Sequence, residues 1–357
     1  PMSHSKKQNV FALICIILLA CTAFTASVTA AEPDPGKKPK GMTVYVTGNS
    51  GWVTTDHEEG YVFMGGGAEC DEAMAWTTAK TNGGDFVVIR TDKSSGYNDY
   101  LYYDIGGVDS VHTLVINKSS YADSTYVETV IKNAEALWIA GGDQADYYDL
   151  WNDTRVESAI HYLIDTKKAV VGGTSAGMAV LADIDYIPDS YGVYSSEALS
   201  NPYHPYVNYI RDNFIWGIPN TYGIITDTHF SERDRLGRSI TFMARMIQDG
   251  QRTVSQTKAI ACDEGAAVCV EPNGQAKIFG WDGYTDYVFF FKADTYPDRC
   301  ESGLSLHWAN AVTVYKVRGL PTGTNTFNLA TWTGSGGTWE SVNVNYGVID
   351  NDIQEPD

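Results

Sequence analysis

The chain has 357 residues, 43% of them apolar and 12% aromatic, which is enough to bury a sizeable core in one large or two smaller domains and excludes collagen-like and disordered classes. With 44 acidic against 25 basic side chains the formal charge is −19, which argues against a nucleic-acid partner, whose phosphates need clustered Lys and Arg. The same acidity serves solubility or attracts cationic substrates.

Lys6 and Lys7 precede an apolar run at 10–20, and residues 28–30 (VTA) are small, so residues 1–30 read as a signal peptide cleaved before Ala31. A competing reading takes residues 18–21 (LLAC) as a lipobox. Cys21 would then be lipidated, and only in that case is a membrane a partner. Either way the protein leaves the cytoplasm, secreted or periplasmic in the first case and anchored at Cys21 in the second. Residues 31–42 are rich in Pro and Lys and read as a linker. No later stretch approaches the roughly 18 apolar residues of a transmembrane helix. Four cysteines follow the signal, Cys70, Cys262, Cys269 and Cys300. Export makes a disulfide plausible and leaves the pairing open. There is no CxxC or HExxH pattern, so neither a metal nor a cofactor is expected. The oligomeric state is open, a homodimer included.

From residue 43 onward, short β-branched and aromatic runs alternate with helical stretches. Residues 61–64 read as a strand, followed by three glycines and a helix to about Lys80. Residues 86–89, 112–116, 136–140 and 169–172 read as buried strands, with helices at 124–133 and 156–166 between them. This alternation predicts an α/β fold with a mostly parallel sheet covered by helices on both faces, in which ligands bind beyond the C-terminal strand ends. Residues 183–215, rich in Tyr, Ser, Asn and Pro, read as a long loop. A strand returns at 223–226, a long helix at about 232–247, and several extra C-terminal β-strands after 258. The α/β domain is therefore expected over 43–332, with 333–357 as a tail that ends in a hairpin or is partly disordered.

Gly173-Thr174-Ser175-Ala176-Gly177 is a G-x-S-x-G pattern between a strand and a helix, the context of a nucleophile elbow. A sharp turn there would hold the Ser175 hydroxyl at the sheet rim, facing the positive end of the following helix. Serine needs a base and an orienting acid. His229 follows the strand at 223–226, and Asp263-Glu264 follows the run AIAC, which gives the order Ser175, His229, Glu264. That order differs from the usual α/β-hydrolase order of Ser, acid, His. Gly141-Gly142-Asp143-Gln144 closes the strand before the elbow. Its backbone N–H groups, with that of Ala176, could bind an oxyanion; alternatively it is a plain turn with Asp143 as helix cap.

Four segments together, 139–144 (IAGGDQ), 173–178 (GTSAGM), 227–238 (DTHFSERDRLGR) and 262–267 (CDEGAA), resemble the serine peptidases that include cyanophycinase and dipeptidase E, and more closely the cyanophycinase branch. The segments near 61 (YVFMGGGA) and 86 (FVVIRTDKSSGYNDYLY) fit the same branch. The resemblance spans about residues 60–320. It implies a fold similar to class I glutamine amidotransferases and a triad of Ser175, His229 and Glu264, with Gly142 and Ala176 as oxyanion donors. It also implies Gln144, Asp227, Thr228, Arg233, Arg235 and Arg238 as substrate-binding positions, and a peptide or cyanophycin-like polymer as substrate. Two positions depart from the pattern: Thr228 stands where glutamine is common, and Tyr148 where a basic residue is expected. Both touch the expected substrate pocket and leave the triad unchanged.

Overall fold

The computed structural model describes residues 32–189, 191–212, 214–281 and 286–354. The segment read as a signal peptide, with Cys21 and the cleavage position, lies outside the described residues. In chain order the strands are β1 (Thr43–Gly48), β2 (Gly60–Met64), β3 (Asp85–Arg90), β4 (Ser110–Val115), β5 (Ala136–Ile139), β6 (Val170–Thr174), β7 (Ile184–Tyr186), β8 (Ile210–Asp212) and β9 (Ile224–Asp227). They continue with β10 (Lys258–Cys262), β11 (Ala267–Val270), β12 (Gln275–Phe279), β13 (Tyr287–Ala293), β14 (Trp308–Arg318), β15 (Thr326–Asn328), β16 (Thr333–Ser335), β17 (Thr338–Asn345) and β18 (Val348–Ile349).

Among the described residues the strands form two sheets. The first runs β1-β4-β3-β5-β6-β2-β11-β12-β15-β16, and its central strands, from β4 to β2, are mutually parallel. The alternation of side chains explains why these strands read as unbroken apolar runs. Tyr61 and Phe63, Val87 and Ile89, and Leu137 and Ile139 enter one core, while Val62 and Met64, Phe86 and Val88, and Ala136 and Trp138 enter the core on the other face. With both faces dry, no polar alternation survives in the sequence. Helices Thr125–Asn133 and Arg155–Tyr162 cover the first face and helix Asp71–Lys80 the second. Ser124 and Thr154 cap the first two helices by accepting backbone N–H groups at 3.2 Å.

The second sheet runs β18-β17-β14-β13-β10-β9-β7-β8, parallel only where β7, β9 and β10 meet. It is also two-sided. Ile260, Val288 and Phe290 share a core with the first sheet, whereas Ala261, Phe289 and Phe291 pack with Phe242 and Met243 of helix Leu236–Gln248. The stretch 183–215 holds more order than a loop: β7, helix Ser195–Ser200 and β8 lie in it, with Val193 and Val207 buried. The segment after 332 likewise pairs with the body of the sheet, β17 lying antiparallel to β14. In the stretch read as a linker, the Pro33 carbonyl accepts Asn133 Nδ2–H at 2.8 Å and Met42 is buried. The four cysteines are all buried and unbridged. Cys262 and Cys300 sit in different packing clusters and Cys70 and Cys269 share a third; the disulfide that export made plausible is not present among the four.

Candidate functional site

Ser175 stands at the C-terminal end of β6, between that strand and the helical turn Ala176–Ala179. Its φ is +51° and its ψ −115°, a conformation that serine adopts only under constraint. The flanking glycines relieve the crowding. A Cβ on Gly177 would lie 1.9 Å from the Ile139 carbonyl oxygen, and one on Gly173 2.6 Å from the Gly177 backbone. The G-x-S-x-G spacing is therefore set by backbone approach. The Ser175 N–H donates to the Met64 carbonyl at 3.0 Å, so β2 holds the turn from its other side.

The Ser175 hydroxyl meets His229 Nε2 at 2.7 Å, and His229 Nδ1 meets Glu264 Oε1 at 2.5 Å. A carboxylate only accepts, so Nδ1 carries the proton and Nε2 is left to accept from the hydroxyl. His229 follows β9 and Glu264 follows β10, adjacent parallel strands of the second sheet, whereas Ser175 belongs to the first. The glycine run after β2 joins them. The Gly65 carbonyl accepts the His229 N–H at 2.9 Å, and a Cβ on Gly66 would lie 2.4 Å from His229 Cε1, so only glycine lets the backbone lie against the imidazole. Burial lowers the pKa of His229; the hydrogen bond to Glu264 opposes this, and the charges of Arg233 and Arg235 add to it. The imidazole is therefore neutral at pH 7, as a base must be.

Two further carboxylates fix this constellation, and sequence reasoning gave neither of them this role. Glu232 accepts the Glu264 N–H at 2.9 Å. Asp263 accepts the N–H of Ser231 and that of Tyr287, each at 2.9 Å, tying the His229 turn to β13. Burial pushes both acids up to about 6. Of the pair Asp263-Glu264, the second faces the imidazole and the first is a brace.

The remaining sequence-selected residues divide. Arg233 lines the cleft beside Ser175 and His229. Arg238 does not: it is buried and grips Asp227 through Nε at 2.9 Å and Nη2 at 2.5 Å. Asp227 also accepts from Ser239 Oγ at 2.6 Å and from Arg235 Nη1 at 3.3 Å. Burial alone would raise the Asp227 carboxyl, but Arg238 and Arg235 outweigh it and hold it below the ordinary range. Arg235 also donates to the Thr228 carbonyl at 2.5 Å. The long helix starts at Leu236 and not near 232, because His229 and Asp234 have φ of +45° and +46° and hold the chain in turns. Arg233 therefore lies in a turn and Arg235 at the helix cap.

Gln144 opens helix Gln144–Trp151 and donates from Nε2 to the Tyr186 carbonyl at 3.4 Å, away from the lined cleft. Asp143 caps that helix, accepting the Ala145 N–H at 2.9 Å. Gly141 borders Ser175, with Gly142 next along the turn. Ala176 begins the helical turn whose first N–H groups lack intrahelical partners. Tyr148 packs edge-on against Phe214 and contributes to the core.

The cleft has a volume of about 730 Å³. Glu69, Asp71, Arg90, Tyr97 and Tyr100 also line it, none of them singled out from sequence. The signal was present, since Arg90 ends β3 and the other four follow the C-terminal ends of β2 and β3, where parallel sheets place ligands. Among the described residues no three His, Cys, Asp or Glu side chains converge as a metal site, and no helix is long and apolar enough to cross a membrane.

No family model matches the chain. It is 23% identical over 174 residues to the cyanophycinase of Nostoc sp., covering 49% of this chain and 52% of that protein. It is 24% identical over 183 residues to the cyanophycinase of Synechococcus elongatus, covering 50% and 51%. The chain thus spans about half the length of the curated relatives it matches. Among solved structures, a peptidase from an acI-B1 Actinobacterium is similar at 16% identity and a TM-score of 0.42, over 65% of this chain and 90% of that one. Together with the sequence motifs, the similarity to these cyanophycinases supports a family of the cyanophycinase and peptidase E type.

Proposed function

We propose that the protein is an exported serine exopeptidase that hydrolyses cyanophycin or related isoaspartyl (β-Asp-Arg) peptides. The single observation that carries this reading is the unbroken hydrogen-bond chain Ser175–His229–Glu264 at the wall of an open cleft. In this mechanism the Ser175 oxygen attacks the scissile carbonyl carbon while its proton passes to His229 Nε2. Glu264 keeps the imidazole in the required tautomer and stabilises its cation. The N–H groups of Gly142 and Ala176 receive the charge that develops on the carbonyl oxygen. Collapse expels the amine, which takes the proton from His229 and leaves Ser175 acylated. Water, activated by the same imidazole, then releases the acid and restores the hydroxyl.

Export rests on the basic, apolar and small-residue pattern of residues 1–30, with anchoring at Cys21 as the alternative. The deciding experiment incubates the purified protein with insoluble cyanophycin and weighs the products by mass spectrometry. Release of β-Asp-Arg, lost in Ser175→Ala, is the expected result. Cleavage of α-Asp-Xaa dipeptides with the polymer left intact would instead make it an α-aspartyl dipeptidase. No hydrolysis of either substrate by the unaltered protein would leave only a binding role.

A further inference from the structure

The cleft that holds Ser175 carries charge of both signs, Glu69 and Asp71 lining it together with Arg90 and Arg233. Arg233 acts on His229, whereas the charges acting on Glu69 are those of Arg90 and Asp71. The Tyr97 hydroxyl donates to Glu69, and the Tyr100 hydroxyl donates to Asp71 at 2.7 Å. Phenols fix these carboxylates in place but do not neutralise them. Arg90 cannot turn toward them freely, because Asp92 holds its Nε and Nη2 at 2.7 and 2.9 Å. Burial pushes the Glu69 carboxyl above its ordinary range, a penalty that a bound cation would remove.

One buried polar group at the same place is unmet. Thr174 is 4% exposed and lines the cavity, and its hydroxyl has no hydrogen-bond partner among the described residues.

We propose that Glu69 and Asp71, flanked by Tyr97 and Tyr100, form the subsite for a guanidinium side chain of the peptide lying across Ser175. Arg233 at the His229 end would take a substrate carboxylate. A guanidinium fits better than an ammonium, because its planar donors can meet two carboxylates while its face rests on a phenol ring. This assignment rests on the reading of Ser175 as the nucleophile of a peptidase, and it adds which residues select the substrate. Glu69 and Asp71 are specificity residues; the triad is untouched by the assignment.

The test measures binding without turnover. Ser175→Ala protein is titrated calorimetrically with β-Asp-Arg and with β-Asp-citrulline, the neutral near-isostere. The arginine ligand should bind about 10- to 100-fold more tightly, the range for a charge-assisted hydrogen bond, and the preference should shrink with added salt. Adding Glu69→Gln and Asp71→Asn should bring the ratio to within about threefold. If that combination does not fold, the exposed Asp71→Asn alone should lower the ratio. Equal binding of both ligands, no binding of either, or a ratio indifferent to these substitutions overturns the subsite. The two readings fail separately. An arginine preference in a protein that hydrolyses nothing sinks the peptidase and keeps the subsite; hydrolysis without the preference does the reverse.

Discussion

Asp227 distinguishes a structural ion pair from a substrate contact, because the family resemblance places it in the binding pocket while its neighbours enclose it. It is 5% exposed and holds Arg238 through two hydrogen bonds, and it also accepts from Ser239, Arg235 and the Thr228 N–H. Asp227→Asn keeps the volume but removes the charge, and it turns an amide N–H toward the guanidinium. Arg238, itself 6% exposed, would then be a buried cation without its counter-ion. Breaking a buried pair from one side costs about 3–5 kcal/mol. For a chain of this size about 2 °C of melting temperature is lost per kcal/mol, so a fall of roughly 6–10 °C is expected. The assay is thermal unfolding followed by far-ultraviolet circular dichroism. The double variant Asp227→Asn, Arg238→Gln should lose less than the sum of the two single variants, since no lone charge stays buried. The stabilisation also has a defined pH window. The folded-state pKa is depressed, so the contribution is present above the unfolded value of about 3.9 and is lost as the pH falls through the lower folded-state value. An unchanged melting temperature combined with a tenfold rise in KM would refute this reasoning and return Asp227 and Arg238 to the substrate.

Other substitutions test the remaining links. Ser175→Ala should abolish turnover while the protein stays folded, measured as product release alongside the melting curve. Glu264→Gln should lower kcat by about 10²- to 10⁴-fold, because an amide that can also donate no longer fixes the imidazole tautomer and no longer stabilises its cation, and should leave KM nearly unchanged; a loss confined to KM would remove Glu264 from this role. Gly177→Ala drives a methyl group into the Ile139 carbonyl and should reduce soluble yield or melting temperature, whereas normal stability would show that the turn can relax. For pH, the lowered pKa of His229 moves the rise of kcat/KM below the ordinary value of about 6.5. The same shift works against folding in acid: as pH falls through 6.5 the unfolded chain takes the proton first, so stability due to this group decreases. A kcat/KM profile flat from about pH 5 to 8 would remove His229 as the base.

Much of the parallel sheet was legible because its strands are dry on both faces, which leaves continuous apolar runs such as FVVI at 86–89 and ALWI at 136–139. That Ser175, His229 and Glu264 meet was legible for a related reason: each follows a strand end. Less could be learned where partners lie far apart in sequence. Arg233 and Arg238 look alike in a polar run, and only the position of Asp227 decides that one is enclosed while the other faces the cleft. The start of the long helix was misjudged because left-handed residues such as His229 and Asp234 leave no mark in composition. Residues 183–215 hide their strands for a different reason. β7 and β8 are three residues each, too short for a period to register.

The hydroxyl and the imidazole come from two sheets, and the backbone at Met64 and Gly65 couples them by accepting the Ser175 and His229 N–H groups. A shift of an ångström or two between them would part Oγ from Nε2 while every strand stayed paired. Heat or mild urea should therefore silence the protein before circular dichroism records any melting, and cooling should restore it at once.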